Sequence, residues 1–112
     1  MKVIRFSESP VKTNPHGVDV RSLYDNDNAQ VNVVTLGPGQ ALKPHITRTE
    51  VFFYVLEGCP SIRVGEITEP VEKDSLVESP SGIIHCISNN TASVARVLVV
   101  KAPRPTEAAR LL

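Results

Sequence analysis

Short runs of β-branched and apolar residues, many alternating with polar ones, recur along most of this chain, with turn-forming residues between them. No long stretch carries the 3.6-residue period of an amphipathic helix. The runs predict strands over 18–23, 30–36, 51–57, 61–64, 67–71, 75–78, 83–88 and 94–101. Asp25-Asn26-Asp27-Asn28, Gly37-Pro38-Gly39, Gly58-Cys59-Pro60 and Asn89-Asn90 separate several of them. These are turn-formers by mechanism: Gly and Asn tolerate left-handed backbone, and Pro fixes φ. Strands at intervals of roughly 8–12 residues with turns between them predict an all-β sandwich or barrel. Val97-Leu98-Val99-Val100 is continuously apolar, as a strand covered on both faces would be.

The flanks read differently. Residues 7–15, with Pro10 and Pro15, predict an extended arm, and Pro103 and Pro105 end the last strand. Thr106-Glu107 predicts the cap of a short helix or tail through Leu112. The expectation is a single domain over 1–112, with its core at about 18–102. That length is enough to bury one hydrophobic core.

Charge narrows the partners. Twelve Lys and Arg balance twelve Asp and Glu, without a basic stripe, so nucleic acid and anionic membranes are not expected. No apolar run approaches the ~20 residues that span a bilayer. Met1-Lys2-Val3-Ile4-Arg5-Phe6 is too short and too charged for the core of a signal peptide, so a cytoplasmic location is expected. Cys59 and Cys86 are too few for a disulfide framework or a zinc ribbon, and they read as reduced thiols.

The chemistry lies in two patterned segments. The first runs Gly39-Gln40-Ala41-Leu42-Lys43-Pro44-His45-Ile46-Thr47-Arg48-Thr49-Glu50 and on to Gly58. The second is Pro80-Ser81-Gly82-Ile83-Ile84-His85-Cys86-Ile87-Ser88-Asn89. Imidazole and carboxylate brought together in a β-rich protein can chelate a divalent metal.

Both segments resemble the paired motifs of the cupin family, over about residues 18–102. That resemblance implies a small double-stranded β-helix, or jelly-roll, barrel. In the second motif Pro80, Gly82, His85 and Asn89 hold every family spacing, and Asp74 replaces the leading glycine. Asp tolerates the positive φ such a turn needs. In the first motif Gly39 and His45 are in place, but Thr47 stands where the family carries a second histidine, and a hydroxyl is a poor ligand for zinc or iron. The glutamate is also displaced: the family position falls on Val51, and Glu50 is one residue early. Alternation would turn Glu50 outward unless a β-bulge at Phe52-Phe53 restored its aim.

The resemblance therefore implies a metal site of His45, Glu50 and His85, holding iron, manganese, nickel or zinc. Thr47, Cys86, Asn89 and His16 are secondary candidates. Alternation should point Cys86 away from His85, Asn89 should tie the turn that follows it, and His16 reads as a surface residue or one that closes the site across a dimer. A two-fold homodimer is expected, as is common among cupins. Two function classes stay open. One is a metal-dependent isomerase or dioxygenase acting on a small polar molecule, and the other is a non-catalytic binding or sensing barrel.

Overall fold

A computed structural model describes residues 1–112. Ten strands form two five-stranded antiparallel sheets. They are β1 (Asp19–Asp25), β2 (Gln30–Leu36), β3 (His45–Ile46), β4 (Val51–Glu57), β5 (Ser61–Val64), β6 (Ile67–Pro70), β7 (Leu76–Ser79), β8 (Ile84–Ser88), β9 (Ala95–Lys101) and β10 (Arg110–Leu111). The first sheet has the order β1-β2-β9-β4-β7 and the second β10-β3-β8-β5-β6. One 3-10 turn, Phe6–Glu8, is the only helical element, and no helix is long and apolar enough to cross a membrane.

Alternation decides what each sheet turns inward. Val51, Phe53 and Val55 of β4 are buried, as are Ala95, Val97 and Val99 of β9, while their sequence neighbours are more exposed. From the facing sheet, Ile62 and Ile87 meet them in one apolar cluster with Leu36 and Val34. The run 97–100 is thus fully buried on one face only, because Leu98 and Val100 are half-buried outside.

Eight of the ten strands coincide with the sequence expectation to within a residue or two, and the two short ones do not. The expected C-terminal helix is replaced by β10. Leu111 pairs with His45 and Arg110 with Ile46, and the Leu112 N–H donates to the Pro44 carbonyl. An edge strand carries unpaired backbone groups, and an added strand satisfies them where a free helix would not. The tail thereby covers the edge beside the first histidine.

Two turns are fixed by backbone requirements. Asp74 has φ 65, the left-handed conformation for which Asp was expected to substitute. Gly58 has φ 79, and a Cβ there would meet the Val94 carbonyl oxygen at 2.5 Å, so glycine is required by contact as well as by conformation.

Candidate functional site

β3 and β8 are neighbours, and their register sets His45 directly opposite His85. Both rings point inward by alternation and are buried, at 7% and 2% exposure. Their Nε2 atoms lie 3.1 Å apart. Phe53, from the opposite sheet, packs edge-on to His85 with ring centroids 5.2 Å apart.

Each ring is held from behind. His45 Nδ1 lies 2.8 Å from the Lys43 carbonyl, and His85 Nδ1 lies 2.7 Å from Ser79 Oγ. A carbonyl only accepts, so His45 carries its proton on Nδ1 and offers a lone pair at Nε2. In the neutral pair His85 Nε2–H then donates to His45 Nε2, and Ser79 Oγ–H donates to His85 Nδ1. Thr47 Oγ1, 3.3 Å from His85 Nε2, is a second acceptor there. Every ring nitrogen of the pair is satisfied.

The same atoms suit a divalent ion. Two imidazole nitrogens each 2.0–2.1 Å from one metal stand about 2.9–3.4 Å apart at ordinary coordination angles. Backing of Nδ1 by a carbonyl or hydroxyl is the arrangement that orients ligating histidines. His85 needs only to move its proton to Nδ1, where Ser79 Oγ can accept it. The fit covers two coordination positions: no group of three or more His, Cys, Asp and Glu side chains is placed to hold a metal.

Glu50 does not join the pair. It is exposed, and its Oε2 accepts a hydrogen bond from the Ser81 N–H at 3.2 Å. The register of β4 runs without a break through Phe52 and Phe53 and shifts only between Val55 and Glu57. The expected bulge is therefore three residues late for Glu50, and ordinary alternation leaves its carboxylate outside. There it fastens the Pro80–Gly82 turn that precedes β8.

The secondary candidates divide. Thr47 is 2% exposed and faces His85. Asn89 is fully buried and entirely occupied: Nδ2 donates to the Leu36 and Ser93 carbonyls, and Oδ1 accepts from Thr91. Cys86 is half-buried between two inward residues of β8, on the outer face opposite Arg63, and burial raises its thiol pKa. Cys59 is exposed, and both thiols are free.

His16 is the residue the sequence undervalued. The arm of its own chain lays it 5.2 Å from the His45 ring, and its Nδ1 accepts the Lys43 N–H at 2.8 Å. The backbone of one residue, Lys43, thus grips two histidines. With Nδ1 accepting, neutral His16 carries its proton on Nε2, which makes that atom a donor and not a metal ligand.

His16, His45, His85 and Phe53 line a cavity of about 360 Å³ between the sheets, with Val20, Val34, Leu42, Val99 and Leu111 as apolar wall. Lys101, Asn32 and Gln30 reach the same space, and none was singled out from sequence. The signal was available in the alternation: Lys101 continues the inward series Val97, Val99, and Asn32 shares the inward face with Val34 and Leu36. Burial lowers the pKa of all three histidines, most strongly His85, which falls to about 4 with His45 and Lys101 adding to the effect.

The comparisons agree with this architecture. Residues 32–101 match the family described as Cupin domain. TT1209 from Thermus thermophilus is 30% identical, with 94% of this chain and all of that chain covered and a TM-score of 0.80. The polyketide cyclase RemF from Streptomyces resistomycificus is 22% identical, with 100% of this chain and 85% of that chain covered and a TM-score of 0.84. An RmlC-like cupin from Methanocaldococcus jannaschii is 22% identical, with 94% and 93% covered and a TM-score of 0.78. No curated protein matches the sequence.

Proposed function

This chain belongs to the cupin domain family, and we propose that its barrel binds a small polar molecule at the His45–His85 pair, with a divalent transition metal held between the two Nε2 atoms. The observation that carries the reading is the 3.1 Å separation of those atoms with both Nδ1 atoms backed. Iron, manganese, nickel and zinc all accept imidazole nitrogen, so the donor set does not choose among them. A bound ion of this kind polarises a carbonyl or acidifies a water.

The protein's own part follows from its geometry. The Lys43 carbonyl and Ser79 fix the two imidazole planes. Phe53 and the valines of β2 and β9 keep the surroundings apolar. His16 Nε2–H supplies a donor on the arm side of the cavity. With only two protein ligands, the ligand molecule completes the centre, and the reaction class follows from that molecule: isomerase or dioxygenase chemistry for a reactive one, retention for an inert one.

A second reading, metal-free binding, is favoured by one specific observation. No Asp or Glu lines the cavity, whereas Lys12 and Lys101 do, so a cation would find no compensating protein charge there. Isothermal titration of chelator-treated protein with zinc or manganese decides between the two. The metal reading expects about one ion per chain, lost in His85→Ala and retained in Cys86→Ala. Unchanged binding in His85→Ala, or none in the wild type, rejects it in favour of the metal-free barrel.

A further inference from the structure

The β9 side of the cavity has a chemistry of its own. β9 pairs with both β2 and β4, and Lys101 closes its inward series, opposite Gln30 on one side and Val51 on the other. Asn32 lies across from Val99, one inward step from Gln30, so Asn32 and Lys101 are diagonal neighbours on adjacent strands. Diagonal side chains of that kind are within mutual reach of one ligand. Lys12, on the arm, contributes to the electrostatic field at Lys101 and lines the same cavity.

Two groups here are left without partners. None of the protein's four ion pairs includes a lysine, so Lys101, half-buried at the cavity wall, is a cation with no counterion. Asn32 is 8% exposed, and its Oδ1 has no hydrogen-bond partner. Buried polar groups such as Asn32 Oδ1 are nearly always satisfied, and a half-buried ammonium without a counterion is open to an anion. The cost of the unpaired amide oxygen persists where a ligand removes it. Burial, with Lys12 adding to it, lowers the Lys101 pKa, consistent with a cation that lacks its complement.

We infer that the Lys101 side of the cavity takes the carboxylate of a small, otherwise apolar organic acid, and that the Asn32 amide engages a second polar group on that acid. The carboxylate supplies the negative charge that no lining residue provides, forming charge-assisted hydrogen bonds to Lys101. The Asn32 amide can rotate to present either its oxygen or its nitrogen, so it meets a hydroxyl next to the carboxylate. Val20, Val34, Val99 and Phe53 take the apolar body. The inference rests on the reading of the cavity as a small-molecule site, but not on the metal.

The test is calorimetric titration of the full chain, in chelator, with hexanoate, 2-hydroxyhexanoate and hexanamide. Wild type is expected to bind hexanoate at least ~10-fold more tightly than hexanamide, a modest return for one charge-assisted pair. Lys101→Met should abolish that preference while circular dichroism shows the fold intact, and Lys101→Arg should restore part of it. The hydroxyl should add a few-fold in wild type and nothing in Asn32→Leu. Equal binding of acid and amide by wild type, or a preference that survives Lys101→Met, overturns the inference while leaving the cavity reading in place. No binding of any of the three at about 10 mM, beyond even weak millimolar affinity, overturns both.

Discussion

Ser79 and His85 sit six residues apart on strands of different sheets, and the 2.7 Å contact between Ser79 Oγ and His85 Nδ1 is where one sheet grips a ring carried by the other. Both residues are buried, at 1% and 2% exposure, so bulk water does not compete for the contact. Ser79→Ala leaves a buried ring nitrogen unsatisfied, which should cost about 1–3 kcal/mol in denaturant unfolding. The ring also loses its backing, and zinc affinity in calorimetry should fall by roughly 10–100-fold. A variant with wild-type stability and wild-type affinity would show that Ser79 does not orient His85.

Much of this arrangement was legible in the chain, and the illegible part has a physical cause. Pro80, Gly82 and His85 keep spacings that are local, because a turn followed by a strand fixes the ring by sequence alone. Glu50 depended on a single bulge, and nothing in 51–57 marks whether the extra residue falls at Phe52 or at Leu56. Alternation converts that slip into opposite faces. His16 reaches the cavity through a long-range contact with the Lys43 N–H, which spacing does not encode, whereas alternation alone marks Lys101 and Asn32 as inward but not what they would face. β10 was missed because a two-residue strand has no period to read.

Glu50 supplies the direct check on that registration. Its carboxylate is exposed and accepts from the Ser81 N–H, a role an amide oxygen fills as well. Glu50→Gln should change unfolding free energy by less than about 0.5 kcal/mol, as surface changes usually do, and should leave zinc affinity unaltered. Loss of metal binding in this variant would put Glu50 on the ion and contradict its outward placement.

Residue 47 is the opposite case, an inward position with the wrong chemistry. Thr47 Oγ1 lies 3.3 Å from His85 Nε2, so an imidazole replacing the hydroxyl would reach the space between the two rings. Thr47→His should tighten zinc binding by at least ~10-fold, because two ligands become three on a soft-to-borderline ion. The larger ring in a 2% exposed position should cost about 1–3 kcal/mol without metal, recovered on saturation. Unchanged affinity in a folded variant would mean that the pair is not a metal locus.

The N-terminal arm carries Val3, Ile4 and Val11 at 56%, 45% and 55% exposure, although it also brings His16 to the cavity. If these apolar side chains form one patch, a second copy of this chain related by a two-fold axis would cover it. Light scattering at tens of micromolar is expected to give about twice 12.2 kDa. A monomer mass would leave these residues to solvent.

Acid should expose the cost of the buried histidines. In chelator, burial first, then His45 and Lys101, hold the His85 pKa near about 4 instead of 6.5, while the unfolded chain returns it to about 6.5. Between those values the unfolded state binds a proton that the folded state refuses, so stability rises with pH. The contribution is complete above pH 6.5, shrinks as pH falls, and is gone below about pH 4, where both states are protonated. The difference, 6.5 minus about 4, corresponds to roughly 3 kcal/mol. His45 and His16 are lowered too, by burial first, and they act in the same direction. Denaturation midpoints measured from pH 7.5 to 4.5 should therefore fall steeply, and those of His85→Asn, which cannot titrate at this position, should fall less. Zinc at saturation should flatten the upper part of the wild-type curve, because binding to the folded state adds stability there and competes with protons. Parallel curves for wild type and His85→Asn would show that His85 is not held neutral by the fold, and the paired-ring geometry would have to be abandoned.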